Sequence, residues 1–321
     1  MSSYDALAAG YDALMTDVGY KKRADWLVRQ FRKSGVPVRQ VLDLACGTGT
    51  MACLLARRGY QVTATDGSEE MLTQAMAKAA DLESPPLFLH QTMPRLRLVQ
   101  PVDAAISTMD SLNYLTRPAD LQETFRRVYR WLRPGGSFWF DVNTPWKLRR
   151  MDHQMYMDET EETFCVWRTF FSEKRQVCTY QVDLFRQRGD GAWDRDFEEH
   201  RERAWSREEL EQFLTEAGFR DIVFTGDLTD CPPEPGGHPS GGIQSGGRTD
   251  LCGLAAVGLP GGAGAGFRYR PGYGAAEISA GRTPSGGQPQ RPRRHHRRAW
   301  GQRAGGVERR QYLRRTVGAF L

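Results

Sequence analysis

Residues 41–50 read VLDLACGTGT and decide the fold class of this chain. The apolar run predicts a short buried strand. Gly47 and Gly49 then form a turn that leads into TMACLLARRG, a helix whose apolar residues fall three and four apart. A glycine-rich turn lets a ligand approach the backbone, and the N-terminus of the following helix supplies free N–H groups. The stretch therefore predicts a strand–turn–helix unit that binds a ligand.

The rest of the first 230 residues alternates in the same way. Helices are predicted for YDALAAGYDALM, KKRADWLVRQFRKSG, SEEMLTQAMAKAADL, PADLQETFRRVYRWLRPGG and SREELEQFLTEAGF, with Ser68 as an N-cap and Ser206 in a capping box with Glu209. Strands are predicted for QVTATD, PLFLHQ, VDAAIST, SFWFDVN and DIVFTGDL. This order predicts an α/β fold with a Rossmann-like, doubly wound, mostly parallel sheet.

The hydrophobic period changes between about residues 154 and 203. Apolar and polar residues alternate there, and SEK and GDG are turn signals. We expect an antiparallel β cap of about three strands, inserted after the fifth strand of the parallel sheet.

The last 86 residues have a different composition. Residues 236–321 hold 21 of the chain's 34 glycines. They also hold fourteen Arg, no Lys and three acidic residues, a net charge of +11 in a chain whose total is +5, so residues 1–235 carry −6. Such a composition cannot bury enough apolar surface to offset chain entropy. We expect one folded domain over residues 1–235 and a Gly/Arg/Pro-rich disordered tail over residues 236–321.

Two interpretations of this tail stay open. Arginines interleaved with aromatic residues in RPRRHHRRAWGQRAGGVERRQYLRR are typical of segments that bind nucleic acid by phosphate contacts and stacking. Alternatively, many Arg without Lys beside abundant Gly, Pro and Ala is what GC-rich DNA gives in a wrong reading frame. We hypothesise a frameshift that begins near Gly236, since no convincing strand follows Pro235 and LCGLAAVGL is a poor candidate.

Composition also bears on compartment and on metal binding. The sequence has no run of 18 apolar residues, so no membrane span is predicted. The N-terminus lacks the basic start and apolar core of a secretory signal. The six cysteines, at positions 46, 53, 165, 178, 231 and 252, have neither CxxC spacing nor a nearby histidine pattern. We expect buried free thiols in a cytoplasmic protein, and no metal site.

Two adenosine cofactors fit the glycine turn. GTGTMA matches the dinucleotide pattern GxGxxA, whereas Asp43 stands four residues before Gly47, where a carboxylate favours the sulfonium and ammonium of S-adenosylmethionine and does nothing for a pyrophosphate. Asp66 closes the second strand and can accept hydrogen bonds from the ribose hydroxyls of either cofactor. The residues favour S-adenosylmethionine and leave an NAD-dependent oxidoreductase as a distant alternative.

The first 230 residues resemble class I S-adenosylmethionine-dependent methyltransferases. VLDLACGTG is similar to the family's first motif, VTATDGSEEML to its second, VDAAISTMDSLNYL to its fourth, and LRPGG to the segment before strand five. The β-rich insert and HRERAW are similar to those of a group of small bacterial-type methyltransferases with a cap over the site. Members of this kind end with a short strand that pairs between strands five and six.

The resemblance implies cofactor contacts along the chain. Gly47 and Gly49 shape the turn around the amino-acid part of the cofactor, and Asp66 takes the ribose hydroxyls. The remaining contacts are Asp43 beneath the turn, Ala45 where a glycine is usual, Gly67 and Met71 beside the adenine, Thr92 and Met93 where the family often has an acid followed by an apolar residue, Met109 near the sulfonium, and Tyr11 as a lid tyrosine.

Candidates for the transfer step lie on the segments that face the cofactor, after strands four and five and in the cap. Methyl transfer is an in-line displacement in which the protein mainly aligns the reactants and excludes water, with a base needed only where the nucleophile must lose a proton. Arg203 would orient an anionic substrate or pair with surface acids such as Glu202. The full set is His200, Asn113 and Tyr114 as catalytic residues, and Asp110, Asn143 and Arg203 as substrate contacts.

Two classes of function remain. The first is transfer of a methyl group from S-adenosylmethionine to an N or O nucleophile of a small molecule. The second is an RNA-associated protein that binds through the basic tail, with RNA methylation as its activity. The acidic body, which has no basic stripe, argues against an RNA substrate.

Overall fold

The computed structural model describes residue 8, residues 11–14, residues 19–228 and the backbone of residues 251–255. The helices are α1 (Tyr11–Leu14), α2 (Tyr20–Lys33), α3 (Thr50–Ala56), α4 (Glu69–Ala79), α5 (Pro118–Trp131), α6 (Pro145–Arg150) and α7 (Arg207–Ala217). The strands of the larger sheet are β1 (Gln40–Leu44), β2 (Gln61–Asp66), β3 (Leu87–His90), β4 (Val102–Ser107), β5 (Leu132–Asn143), β10 (Val223–Gly226) and β11 (Leu251–Ala255). Those of the smaller sheet are β6 (Met155–Glu159), β7 (Thr163–Ser172), β8 (Val177–Gln187) and β9 (Trp193–Arg203).

The larger sheet confirms the predicted α/β class. Its strand order is β10-β11-β5-β4-β1-β2-β3, and β1 pairs in parallel with both β2 and β4. Strands β1 and β4 are buried along almost their whole length, as expected for central strands covered on both faces. Because the strand order reverses between β1 and β4, their carboxyl ends leave a crevice in which ligands bind in open α/β sheets.

Local sequence signals explain where the helices begin. The Ser68 hydroxyl accepts a hydrogen bond from the Met71 N–H at the start of α4. Ser206 and Glu209 form the reciprocal capping box predicted for α7. The helix α5 turns Leu121, Phe125 and Val128 into the apolar core beneath the sheet.

The strand β11 corrects one expectation from the sequence. Residues Leu251–Ala255, from the segment judged a poor strand candidate, pair antiparallel with β5 on one side and β10 on the other. The expectation that no strand follows Pro235 is therefore wrong at this segment. Gly253 interrupts the short hydrophobic pattern of this strand. The gap between β5 and β10 nevertheless leaves two rows of backbone groups to be paired. The rest of the predicted tail lies outside the described residues.

The antiparallel cap is confirmed, with four strands instead of three, in the order β6-β7-β8-β9. The additional strand is β6, which pairs with β7. The buried face of the cap, which includes Trp167 and Tyr180, forms one apolar cluster with Tyr11 and Met71 of the core domain. The cap therefore packs on the carboxyl-end side of the parallel sheet. Within the described residues, no helix is long and apolar enough to cross a membrane.

Candidate cofactor and acceptor site

A cavity of about 350 Å³ lies at the carboxyl ends of β1, β2 and β4. Its wall brings together most of the predicted cofactor contacts. They are Tyr11, Ala45, Gly47, Asp66, Gly67, Met71, Thr92, Met93 and Met109, with the predicted catalytic residue Tyr114 beside them. Asp43 and Gly49 do not line the cavity, although both neighbour the turn that does.

The glycine turn needs its glycines for two different reasons. Gly47 and Gly49 both have positive φ angles, 55° and 72°, which cost little without a Cβ. A Cβ on Gly49 would also lie 2.7 Å from the Ala75 Cβ and 3.1 Å from Phe88, so glycine lets α3 and α4 approach. Ala45 takes a left-handed φ of 60°, a conformation that glycine adopts more easily.

Asp66 ties the turn to the end of β2. Its Oδ2 accepts a hydrogen bond from the Gly47 N–H at 2.8 Å, and its Oδ1 accepts one from the Ser68 N–H at 2.9 Å. Burial raises the pKa of Asp66, and the backbone N–H groups of Ser68 and Gly47 oppose that shift. Asp66 is the only charged side chain on the described cavity wall, which has no Lys, Arg or His. This wall therefore suits a cationic or neutral ligand better than a pyrophosphate.

Asp43 adds a second acid beneath the turn. Its residue is 1% exposed, and burial, with the nearby Asp66, raises its pKa to about 7, while a backbone hydrogen bond from Ala52 lowers it. Among the described residues, no group hydrogen-bonds its buried Oδ2. A buried carboxylate with an unpaired oxygen is costly unless positive charge lies nearby. The acids at this turn therefore fit the sulfonium and ammonium of S-adenosylmethionine.

The short helix α1 closes over the turn. Tyr11 lines the cavity and is only 9% exposed. The next residue, Asp12, accepts a hydrogen bond from the Thr48 hydroxyl at 2.7 Å and pairs with Lys78 at 2.6 Å. These contacts hold the predicted lid tyrosine against the site.

The loop after β4 reaches the cavity through Met109. Both Met109 and Asp110 have left-handed φ angles, 65° and 51°, a strained conformation for residues other than glycine. The Asp110 N–H donates to Asp141 Oδ1 at 2.6 Å, and Asp141 in turn pairs with the buried Arg23 at 2.9 Å. The strained loop is thus fixed from the sheet side.

Asn113 and Asn143, predicted as catalytic and substrate residues, do not line the cavity. The Asn113 side chain accepts from the Asn143 N–H at 2.9 Å and donates to the carbonyls of Asn143 and Arg203 at 3.0 and 2.8 Å. The Asn143 amide donates to Asp110 at 3.0 Å and to Glu202 at 2.6 Å. These side chains, including the predicted substrate contact Asp110, hold the β4 loop, β5 and the cap together.

Arg203 and Glu202 also differ from their expected placement. The Arg203 guanidinium binds Glu209 at 3.0 Å and lies 4.2 Å over the Trp205 ring, which favours a structural role over substrate binding. Glu202 is not a surface acid, because its residue is fully buried. In strands, the alternation of side chains places neighbouring residues on opposite faces.

His200 lies behind the cavity wall. It is 1% exposed, its ring centroid is 6.1 Å from that of Tyr114, and its Nε2 lies 3.0 Å from a carboxylate oxygen of Glu198. Tyr114 therefore faces the cavity, and the predicted base lies behind its ring.

Several residues of the cavity wall escaped the sequence reasoning. They are Tyr20, Cys46, Thr48, Met51, Ser68, Gln91, Pro94, Thr108, Ser111 and Leu115. Most directly neighbour predicted contacts, so proximity in the motifs was a usable signal. No motif near Tyr20 marked it as a cavity residue, because it begins a helix far from the glycine turn in sequence.

Comparison with known proteins agrees with this geometry. A methyltransferase-domain family model matches residues 41–136. YqeM from Bacillus subtilis (strain 168), named as a methyltransferase, is 34% identical over 232 residues, which are 72% of this chain and 92% of YqeM. The chain belongs to the S-adenosylmethionine-dependent methyltransferases.

Solved structures support the same family. An S-adenosylmethionine-dependent methyltransferase from Clostridium acetobutylicum ATCC 824 is 27% identical, with a TM-score of 0.69 over 80% of this chain and 99% of that one. The sugar N-methyltransferase KedS8 from Streptoalloteichus sp ATCC 53650 shares the fold at 20% identity, with a TM-score of 0.59 over 75% of this chain and 88% of that one. The cofactor of this methyltransferase is S-adenosylmethionine, and the NAD-dependent alternative is set aside.

Proposed function

We propose that this methyltransferase transfers a methyl group to an N or O nucleophile of a small molecule. The observation that carries the proposal is the shape of the site, in which an antiparallel cap packs against residues of the cofactor wall such as Tyr11, Met71 and Met109. A cavity of about 350 Å³ beside a packed cap accommodates a small acceptor more readily than a nucleic acid strand. The shared fold with the sugar N-methyltransferase KedS8 supports the same class of acceptor.

The cofactor end supplies orientation and charge. S-adenosylmethionine, when bound, provides a methyl group on a sulfonium that is already an activated leaving group. Asp66 would bind the ribose hydroxyls, and Asp43 would offset the positive charge from below the turn. Gly67 and Met71, with Thr92 and Met93, would enclose the adenine.

The acceptor end aligns the nucleophile and excludes water. Tyr11 and Tyr114 face the cavity from opposite parts of the sequence, and each can hydrogen-bond an amine or a hydroxyl. His200 lies behind Tyr114 and next to Glu198, so it would take a proton only through that tyrosine or after a shift of its ring. Alignment and exclusion of water therefore carry most of the catalysis.

The test is an acceptor screen with methyl-labelled S-adenosylmethionine. The full chain is incubated with panels of small amines, amino sugars, phenols and alcohols, and with RNA as a separate arm. Label in an amine or hydroxyl compound supports the proposal if it is lost in Tyr114→Phe but retained in Tyr60→Phe, since Tyr60 packs against Phe31 and does not line the cavity. Label in RNA alone contradicts it and favours the alternative.

The RNA alternative rests on the basic tail, most of which lies outside the described residues. Comparing the full chain with a variant that ends at Ala255 separates the two, since this end point keeps the strand β11. Salt-dependent RNA binding that needs residues 256–321 would assign that binding to the tail. Unchanged methyl transfer in the shortened chain would show that the tail plays no part in the small-molecule activity.

A further inference from the structure

Glu202 is a buried acid that the transfer mechanism described above does not use. Its carboxylate lies on the inner face of β9, in the cap, and its residue is fully buried. Its Oε2 accepts a hydrogen bond of 2.6 Å from the Asn143 amide, at the carboxyl end of β5. The same amide donates its second hydrogen to Asp110 Oδ2 at 3.0 Å. One amide group therefore bridges two buried acids from different parts of the fold.

The bridge leads directly to the cofactor wall. Asp110 follows Met109, which lines the cavity, and both residues have strained left-handed backbone angles. Ser111 and Tyr114, from the single-turn helix that comes next, line the same cavity. A side chain that fixes Asp110 therefore fixes the wall on both sides of it.

We propose that Glu202 is a positioning residue, which through Asn143 and Asp110 couples docking of the cap to the shape of the β4 loop at the cofactor cavity. This inference rests on the proposed function, because it gives the cap a role in cofactor binding as well as in covering the acceptor. Glu202 does not line the cofactor cavity. Its effect is transmitted by the Asn143 amide.

The charges around Glu202 make this coupling depend on pH. Burial and the nearby Asp110 raise the pKa of Glu202 to about 8, against the opposing effects of Asn143, Lys147 and Tyr180. The groups that face it are Asp110 after β4, Asn143 of β5, Lys147 of α6, and Cys178 and Tyr180 of β8. The raised pKa keeps the Glu202 carboxyl protonated at neutral pH. Above about pH 8 this carboxyl gains a negative charge next to Asp110, which opposes cap docking.

The experiment measures binding of S-adenosylhomocysteine to the full chain by calorimetry. This probe lacks the sulfonium charge, so its affinity reports the shape of the cavity more than direct attraction to the acids. Glu202→Leu should weaken binding at pH 7 at least about fivefold, the lower end of typical coupling between sites. Glu202→Gln, which is neutral and keeps an acceptor oxygen, should bind within about twofold of the wild type, a difference smaller than such coupling.

The pH profile separates positioning from a general loss of stability. The wild type should weaken relative to Glu202→Gln as pH rises from 7 to 9.5, and groups that titrate in both proteins cancel in this ratio. Glu199→Leu is the matched control, because it lies on the same strand at an exposed ion pair with Arg201. Hydrogen exchange of residues 107–115 should rise in Glu202→Leu and not in Glu199→Leu.

The outcomes distinguish this inference from the proposed function. Equal affinity of Glu202→Leu and wild type, with unchanged exchange in the loop, overturns the inference. Should Glu202→Leu fail to fold, a ratio between wild type and Glu202→Gln that stays constant across pH overturns it instead. If the wild type binds no S-adenosylhomocysteine, the proposed function fails first, and the loop exchange still decides whether Glu202 positions residues 107–115.

Discussion

The glycine turn and the cap end of the cavity hold their polar groups in different ways. At the turn, Asp66 binds backbone N–H groups of Gly47 and Ser68, which stand 19 and 2 residues away in sequence. At the cap end, side chains join segments far apart, since Asn143 and Glu202 are separated by 59 residues. The first arrangement uses backbone groups at the ends of two adjacent strands, β1 and β2. The second exists only once the cap has docked on the sheet.

The first prediction concerns the packing of the turn and has the largest expected effect. Gly49→Ala should lower the free energy of unfolding by about 2–4 kcal/mol, because it combines left-handed strain with a Cβ placed 2.7 Å from that of Ala75. Gly59→Ala is the control, with a φ of 87° and no atom within 4 Å of the added Cβ. It should cost about 1–2 kcal/mol, the strain alone. Equal losses in urea unfolding would contradict the close approach of α3 and α4.

A second prediction uses the pH dependence of the acid beneath the turn. The pKa of Asp43 is about 7 in the folded chain, above the ordinary value of 3.8. The raised pKa means that this group's contribution to stability is full at acid pH and is lost as pH rises toward 7. In Asp43→Asn that part of the pH dependence should disappear, a change of roughly 3 kcal/mol between pH 4 and pH 8.

Urea unfolding across this pH range, without added ligand, checks the Asp43 prediction. Asp25→Asn is the control, since Asp25 lies at the surface in an ion pair with Arg58. Glu202 adds a fall of the same sign up to about pH 8, and this part should remain in Asp43→Asn. Parallel curves for wild type and Asp43→Asn would show that Asp43 is ionised throughout.

A third prediction tests the local bonds at the end of β2. Asp66→Asn keeps the size of the side chain and loses a charge-assisted acceptor for a backbone N–H. We expect S-adenosylhomocysteine to bind about tenfold to a hundredfold more weakly, in line with 1.5–3 kcal/mol for hydrogen bonds to charged groups. Calorimetry measures the loss, with Asp25→Asn again as the control. Unchanged affinity would remove Asp66 from the cofactor site.

The smallest effect is expected at the lid. Lys78→Met removes the ion pair with Asp12 and the bonds to Thr48 and Thr50, at side chains that are 25% and 49% exposed for Lys78 and Asp12. Such pairs contribute about 1 kcal/mol or less, so the dissociation rate of S-adenosylhomocysteine should rise by a few-fold at most. Stopped-flow displacement measures this rate. If the increase in dissociation rate is just as large in high salt, the ion pair between Lys78 and Asp12 is not what holds the lid.

The same contrast explains which parts could be predicted from the sequence. The surroundings of the motif residues could be predicted, because the strand, turn and helix that begin in VLDLACGTGT are adjacent in the chain. The predicted roles of Asn113 and Asn143 were assigned from their positions after strands, and that of Arg203 from its place in the cap. None of the three lines the cavity. Their hydrogen-bond partners lie on three segments that are far apart in the sequence. No spacing in the sequence predicts that these segments come into contact.

Two further differences have physical causes. The strand Leu251–Ala255 was missed because Gly253 interrupts its short hydrophobic pattern. The requirement that places it comes from the edges of β5 and β10, which it pairs. Glu202 was taken for a surface acid because it stands among charged residues in EEHRER. Strand alternation buries it, and the partners that make burial tolerable lie on other strands, Asn143 on β5 and Tyr180 on β8.

The most direct test of the account is thermal unfolding of the full chain with S-adenosylhomocysteine or NAD added separately. We predict that S-adenosylhomocysteine raises the melting temperature and that NAD leaves it unchanged, because the described cavity wall holds an acid and no cation. A cooperative melt that responds to neither ligand, or to NAD alone, would contradict the assignment of Asp43, Asp66 and the glycine turn to S-adenosylmethionine.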